Sequence, residues 1–147
     1  MGARRKGREL AVQALYQIEL SGESAEALKL FWERAEAGDR AKEVATALVA
    51  GVREQQVQID ELITHTSQHW RFERLSAVDL CVLRVATYEM LQKPSVPTSV
   101  VLDEAIEIAR RFGTAESAAF VNGVLDQIAA RLGVKETAVE RGARNDG

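Results

Sequence analysis

The sequence predicts an all-α fold, a single-domain bundle of about six or seven helices. Three observations predict it. Apolar residues recur at spacings of three and four along most of the chain. Alanine, leucine, glutamate and arginine dominate, and all favour helix. Only two prolines occur in 147 residues, Pro94 and Pro97. Hydrophobic residues make up 46%, enough for one domain with its own core. No convincing strand pattern, internal repeat or low-complexity tract competes with this reading.

The first helix is expected from about Arg4 to Leu20, with Leu10, Ala11, Ala14, Leu15 and Ile18 on one face and Ser21-Gly22 at its end. Ser24 can cap a second helix through about Ala37, closed by Gly38. Asp39 can cap a long third segment to about His69, which Gly51 could kink or split. Ser76-Ala77-Val78-Asp79 resembles a capping box with Asp in the place of Glu or Gln. The helix it opens is apolar on more than one face and belongs at the centre of the bundle. Lys93 to Pro97 breaks that helix, and Pro97 suits the first turn of the next, which Gly113 stops. Thr114 can cap a last helix, ended by Gly133. Residues 134–147 are expected to form a flexible tail.

The charge is unevenly placed. Nineteen Lys and Arg face 22 Asp and Glu. Four of the nineteen, Arg4, Arg5, Lys6 and Arg8, lie in the first eight residues. The rest of the chain is left with fifteen against 22, a balance of −7. A basic segment (residues 1–8) leading an acidic body suggests an arm for a polyanion. A helix start is a mildly unfavourable place for cations, because the macrodipole is positive there. The segment either grips phosphates or simply aids solubility. Glu9, Gln13 and Tyr16 recur at helical spacing opposite Ala11 and Ile18. An exposed tyrosine beside cations can stack on an unpaired base, and Gln13 can bond a base edge. That combination suits single-stranded RNA better than duplex DNA; alternatively Tyr16 borders the core.

Other chemistries find little support. His65 and His69 share a helical face with Glu61, but Thr66 stands where a metalloprotease needs Glu. No metal or cofactor is expected. No nucleophile elbow, P-loop or dinucleotide fingerprint appears, so no catalytic residues are assigned. The single cysteine, Cys81, lies in an apolar stretch and suits a buried position. The N-terminus lacks the apolar core of a signal peptide, and no run is long enough to span a membrane, so a cytoplasmic location is expected.

Several stretches together resemble the NusB family of transcription antitermination factors. "RRKGRELAVQALYQIEL" is similar to the family's arginine-rich arm and first helix. "WRFERL" and "VDLCVLRVATYEM" resemble its central motif, with Asp79, Leu83, Arg84, Tyr88 and Glu89 in register. "VPTSVVLDEAIEIARRFG" and "FVNGVLD" resemble its last two helices. The likeness covers roughly residues 3 to 133, and the order and spacing of the motifs carry it. It implies two packed helical subdomains and one RNA-binding domain over residues 4–133. It also implies binding of the boxA element of nascent RNA, notably in ribosomal RNA leaders, jointly with NusE, a small-subunit ribosomal protein. Other Nus factors and RNA polymerase would be engaged indirectly, without catalysis or cofactor.

Carried over, Arg4, Arg5, Lys6 and Arg8 would meet phosphates, and Gln13 and Tyr16 would touch RNA. Phe112, Glu116, Phe120 and Asn122 fall in the stretch that lies near RNA in the family, and Asp79 at the ribosomal-protein interface. Phe112 and Phe120 could instead pack between helices, Asn122-Gly123 could serve close packing, and Asp79 could serve its cap. Leu80 and Ala119 stand where the family commonly has basic residues, and Asp103-Glu104-Ala105 replaces a usual Asn-Glu-Ala. Two other readings remain at this level: a protein-interaction bundle with an incidental basic arm, and a stand-alone relative of the RNA-binding domain of RNA cytosine methyltransferases. The wide apolar helix surfaces would suit a homodimer as well as a partner.

Overall fold

A computed structural model describes residues 2–22, 25–67, 75–92 and 96–134. Seven helices form its framework: α1 (Ala3–Ser21), α2 (Ala25–Arg34), α3 (Asp39–Glu54), α4 (Gln56–Thr66), α5 (Ala77–Leu91), α6 (Thr98–Phe112) and α7 (Ser117–Leu132). No strand occurs among the described residues. The expected Ser24 cap, the end of the third segment at His69, most of "WRFERL", the break at Lys93-Pro94-Ser95 and nearly all of the tail lie outside them.

α1 packs mainly on α3, and α6 mainly on α7. α5 lies between these groups and touches α1, α3, α4, α6 and α7. It is the central helix because both of its sides are apolar: Leu80 through Val85 and Ala86 are all buried. Ile59, Ile63, Leu83, Leu125 and Ile128 are fully buried and anchor the core. Each such side chain contributes about 1.5–3 kcal/mol by leaving water. α2 differs from the rest. None of its residues is fully buried, and it leans on α1 through half-buried Leu28, Phe31 and Trp32.

The long third segment breaks at Gln55, not at Gly51. Gly51 sits inside α3, where a methyl group would overlap the Tyr88 ring of α5. It is small for a tertiary contact, not for a bend. α4 closes at Thr66, where the Thr66 hydroxyl donates to the Leu62 carbonyl (2.8 Å) and the Ser67 hydroxyl to that of Ile63 (2.6 Å). Such bonds satisfy carbonyls left over at a helix end.

Two caps differ from expectation and one agrees. Asp39 is the first residue of α3, after Gly38, and no side chain caps that helix; its carboxylate still favours the positive helix end. A turn at 115–116 separates Thr114 from α7, and the Thr114 N–H donates to Ser117 Oγ (2.9 Å). Ser76 caps α5 as expected, accepting from the Asp79 N–H at 3.1 Å. Pro97 takes the N-cap of α6. Gly133 adopts φ 72°, a left-handed conformation that ends α7.

Cys81 is fully buried. Burial pushes its thiol up to about 12; nearby Arg84 opposes that shift and Glu19 adds to it. No helix among the described residues is long and apolar enough to cross a membrane.

Candidate nucleic-acid interface

Successive residues of a helix point about 100° apart. Arg4, Arg5 and Lys6 therefore fan out around α1, while Arg8, one turn on, returns to the Arg4 side and lines the same groove. Arg8 points inward to α5. Its Nε donates to Glu89 Oε1 at 2.7 Å and its second terminal nitrogen to Oε2 at 3.0 Å. Both side chains are nearly enclosed. The expectation that Arg8 meets phosphates is thus corrected: its guanidinium is already forked onto a carboxylate and ties α1 to α5. Arg5 points to α6, where Nε donates to Glu104 Oε2 at 2.9 Å and a terminal nitrogen to Oε1 at 3.0 Å. The Glu104 bond is the chief cause raising the Arg5 pKa. Arg5 keeps 43% of its side chain exposed, so it can face a second anion from one side only.

Arg4 and Lys6 have no side-chain hydrogen bond or ion pair among the described residues. Arg4 is exposed and, with Arg40 of α3, borders a groove of about 390 Å³ between α1, α3 and α5, with Leu48 and Tyr88 along it. Lys6 borders a second groove of about 360 Å³ between α1 and α2, shared with Gln13, Gln17 and Arg34. Gly7 holds this end of α1 close to α3: a methyl there would come within 2.5 Å of Val44 Cγ1 and 3.1 Å of the Ala41 carbonyl. Tyr16 is 37% exposed, further along α1.

Helical spacing places Glu9 on the outer row with Gln13 and Tyr16, but the residue is buried, because Arg111 of α6 donates to its Oε1 at 2.9 Å. This bond brings the start of α1 to the end of α6, residues about a hundred positions apart. Arg111 also stands 5.2 Å from the centroid of the Phe112 ring. Phe112 and Phe120 are half-buried against the core and keep partial exposure. Glu116, which accepts from the Thr114 hydroxyl, and Asn122 are exposed. Gly123 has open space where a side chain would go, so close helix packing does not explain Asn122-Gly123.

Sequence reading missed Arg110 and Arg111, both exposed in the last turn of α6. The signal was present, as two arginines directly before Phe112. It also missed what Arg84 does. Arg84 is buried in α5 and donates to both oxygens of Asp60 in α4 (2.9 and 3.0 Å) and to Glu19 of α1 (3.0 Å). Burial alone would lower its pKa, but the bonds to Asp60 and Glu19 raise it.

Asp79 stands at the opposite end of α5 from Glu89, ten residues or about 15 Å along the axis. Its Oδ1 is buried without a hydrogen-bond partner among the described residues. Asp79 makes no return bond to the Ser76 N–H among the described residues, so the capping box is half-made. His65 and Glu61 are exposed, and His69 lies outside the described residues. Among the described residues no three His, Cys, Asp or Glu side chains cluster as metal ligands.

The NusB family model matches residues 5–130. The antitermination protein NusB of Sorangium cellulosum is 46% identical over 134 residues, covering 90% of this chain and 96% of that one. NusB of Geobacter sulfurreducens is 47% identical over 134 residues, covering 90% and 97%. Among solved structures, T. maritima NusB superposes with a TM-score of 0.77 at 42% identity, covering 86% of this chain and 90% of that one. A chain from a complex of the antitermination factors NusB and NusE with dsRNA matches with a TM-score of 0.76 at 26% identity, covering 89% and 98%. The family match, the sequence identities and the superpositions agree, and the chain belongs to the NusB family.

Proposed function

We propose that this chain is a non-catalytic transcription antitermination factor of the cytoplasm. It binds boxA-type RNA together with NusE and supports transcription of ribosomal RNA. RNA polymerase and other Nus factors are engaged through that assembly. The observation that carries the reading is the start of α1. Arg4 and Lys6 lie there without ionic partners among the described residues, on the helix that also presents Gln13 and Tyr16. The Glu9–Arg111 bond ties this helix to the end of α6 next to Phe112, and Glu116, Phe120 and Asn122 follow in the next turn and helix. Cations would hold phosphates while the aromatic groups stack on bases, a combination that favours unpaired RNA. The related NusB that was solved with NusE and dsRNA supports RNA and NusE as partners. Asp79 is proposed for the NusE contact: its buried Oδ1 has no hydrogen-bond partner among the described residues and retains the capacity to accept one.

The test is a titration of boxA RNA, alone and with NusE, against the chain and an Arg4→Ala/Lys6→Ala variant. NusE should tighten RNA binding. The variant should bind more weakly and its affinity should fall less steeply with salt, by about 0.7 in slope for each single-strand phosphate no longer neutralised. Equal affinity and slope for the two proteins would refute the role of α1. A duplex of the same sequence should bind less tightly than the single strand.

A further inference from the structure

We infer that the groove between α1 and α2 is a subsite for one unpaired nucleotide, with its phosphate between Lys6 and Arg34 and its base against Phe31. The inference rests on the RNA-binding reading of α1 and adds α2 to it. The groove measures about 360 Å³, within the size range that encloses a small ligand and too small for a folded partner. Its chemistry is mixed in the way a nucleotide needs. Lys6 and Arg34 supply two cations, and neither has a side-chain partner among the described residues. Gln13 and Gln17, one turn apart on α1, offer amides that both donate and accept, which suits a base edge. Phe31 supplies an aromatic wall and is steadied edge-on by Trp32, with ring centroids 5.1 Å apart at 81°. Glu36 lines the same groove and opposes a second negative charge. Since no residue of α2 is fully buried, this wall can shift slightly to admit a base without opening the core.

The experiment uses the full chain and single-stranded boxA-type RNA, titrated across a salt series, with thermal melts alongside. Arg34→Gln should flatten the salt slope by about 0.7, the change expected when one phosphate is no longer neutralised. Phe31→Leu keeps an apolar side chain for packing and should weaken binding roughly fivefold or more, because the base has no ring to stack on. Glu36→Gln should tighten binding, a change of sign that damaged folding would not produce. Scanning the RNA with single abasic positions should reveal one site that matters for the parent chain and no longer matters for Phe31→Leu. If Arg4→Ala weakens RNA binding while Arg34→Gln and Phe31→Leu match the parent, the subsite is overturned and the RNA-binding function stands. If the parent binds no RNA with or without NusE, both fall. If Arg34→Gln changes affinity for NusE alone, the groove is a protein surface and the inference is overturned.

Discussion

α1 makes two different uses of the same kind of residue. On the side facing α5 and α6, Arg8 and Arg5 are occupied by Glu89 and Glu104. Arg4, at the groove shared by α3 and α5, and Lys6, at the groove beside α2, have no bond to a carboxylate among the described residues. A run of four cations is therefore two populations. One fastens the helix to the bundle, and the other is left for an outside anion. The fastening matters for the second task. An arm that must order itself on binding loses about 1–2 kcal/mol of backbone entropy per residue. A helix held by Gly7 and Arg8 presents Arg4 and Lys6 with much of that ordering already done.

Substitutions along α1 sharpen this contrast. Arg8→Ala should have the largest effect on folding, a loss of about 3–5 kcal/mol, because Glu89 would stay enclosed without its partner. Urea denaturation checks it, and Arg8→Ala/Glu89→Ala should recover part of the loss. Gly7→Ala should cost about 1–3 kcal/mol, since its methyl group pushes α1 away from Val44 and Ala41. Arg5→Ala should lower stability less than either, because its side chain is partly open to water and its ion pair is screened there. Lys6→Ala should change stability by no more than about 0.5 kcal/mol, yet weaken RNA binding and flatten its salt dependence. If Lys6→Ala unfolded the chain, or Arg8→Ala left stability unchanged while abolishing RNA binding, the division would be reversed.

Most of the fold was legible because helix periodicity is a local property. α5 shows the limit of local reading in a favourable way: apolar residues around its circumference leave it no solvent face, so its central place follows. Gly51 shows the limit in the other direction. Glycine suggests a bend, but its reason is Tyr88, 37 positions later. Nothing in the composition around Gln55 marks the actual break. The candidate site divides in the same manner. The exposure of Tyr16 follows from helical spacing, but the burial of Arg8 and Glu9 depends on Glu89 and Arg111, 81 and 102 positions away. Acidic residues that read as a solubilising surface include Asp60, Glu89 and Glu104, each of which holds an arginine from another helix.

The enclosed thiol of Cys81 has a practical corollary. Protonated at neutral pH and shut off from solvent, it offers alkylating reagents and mild oxidants no foothold on the folded chain. Since it is the sole cysteine, a new one placed at exposed Leu20, outside the proposed contacts, would take up a fluorophore by itself. Energy transfer from such a dye to labelled RNA would then report each association in real time, with no background from the native sulfur.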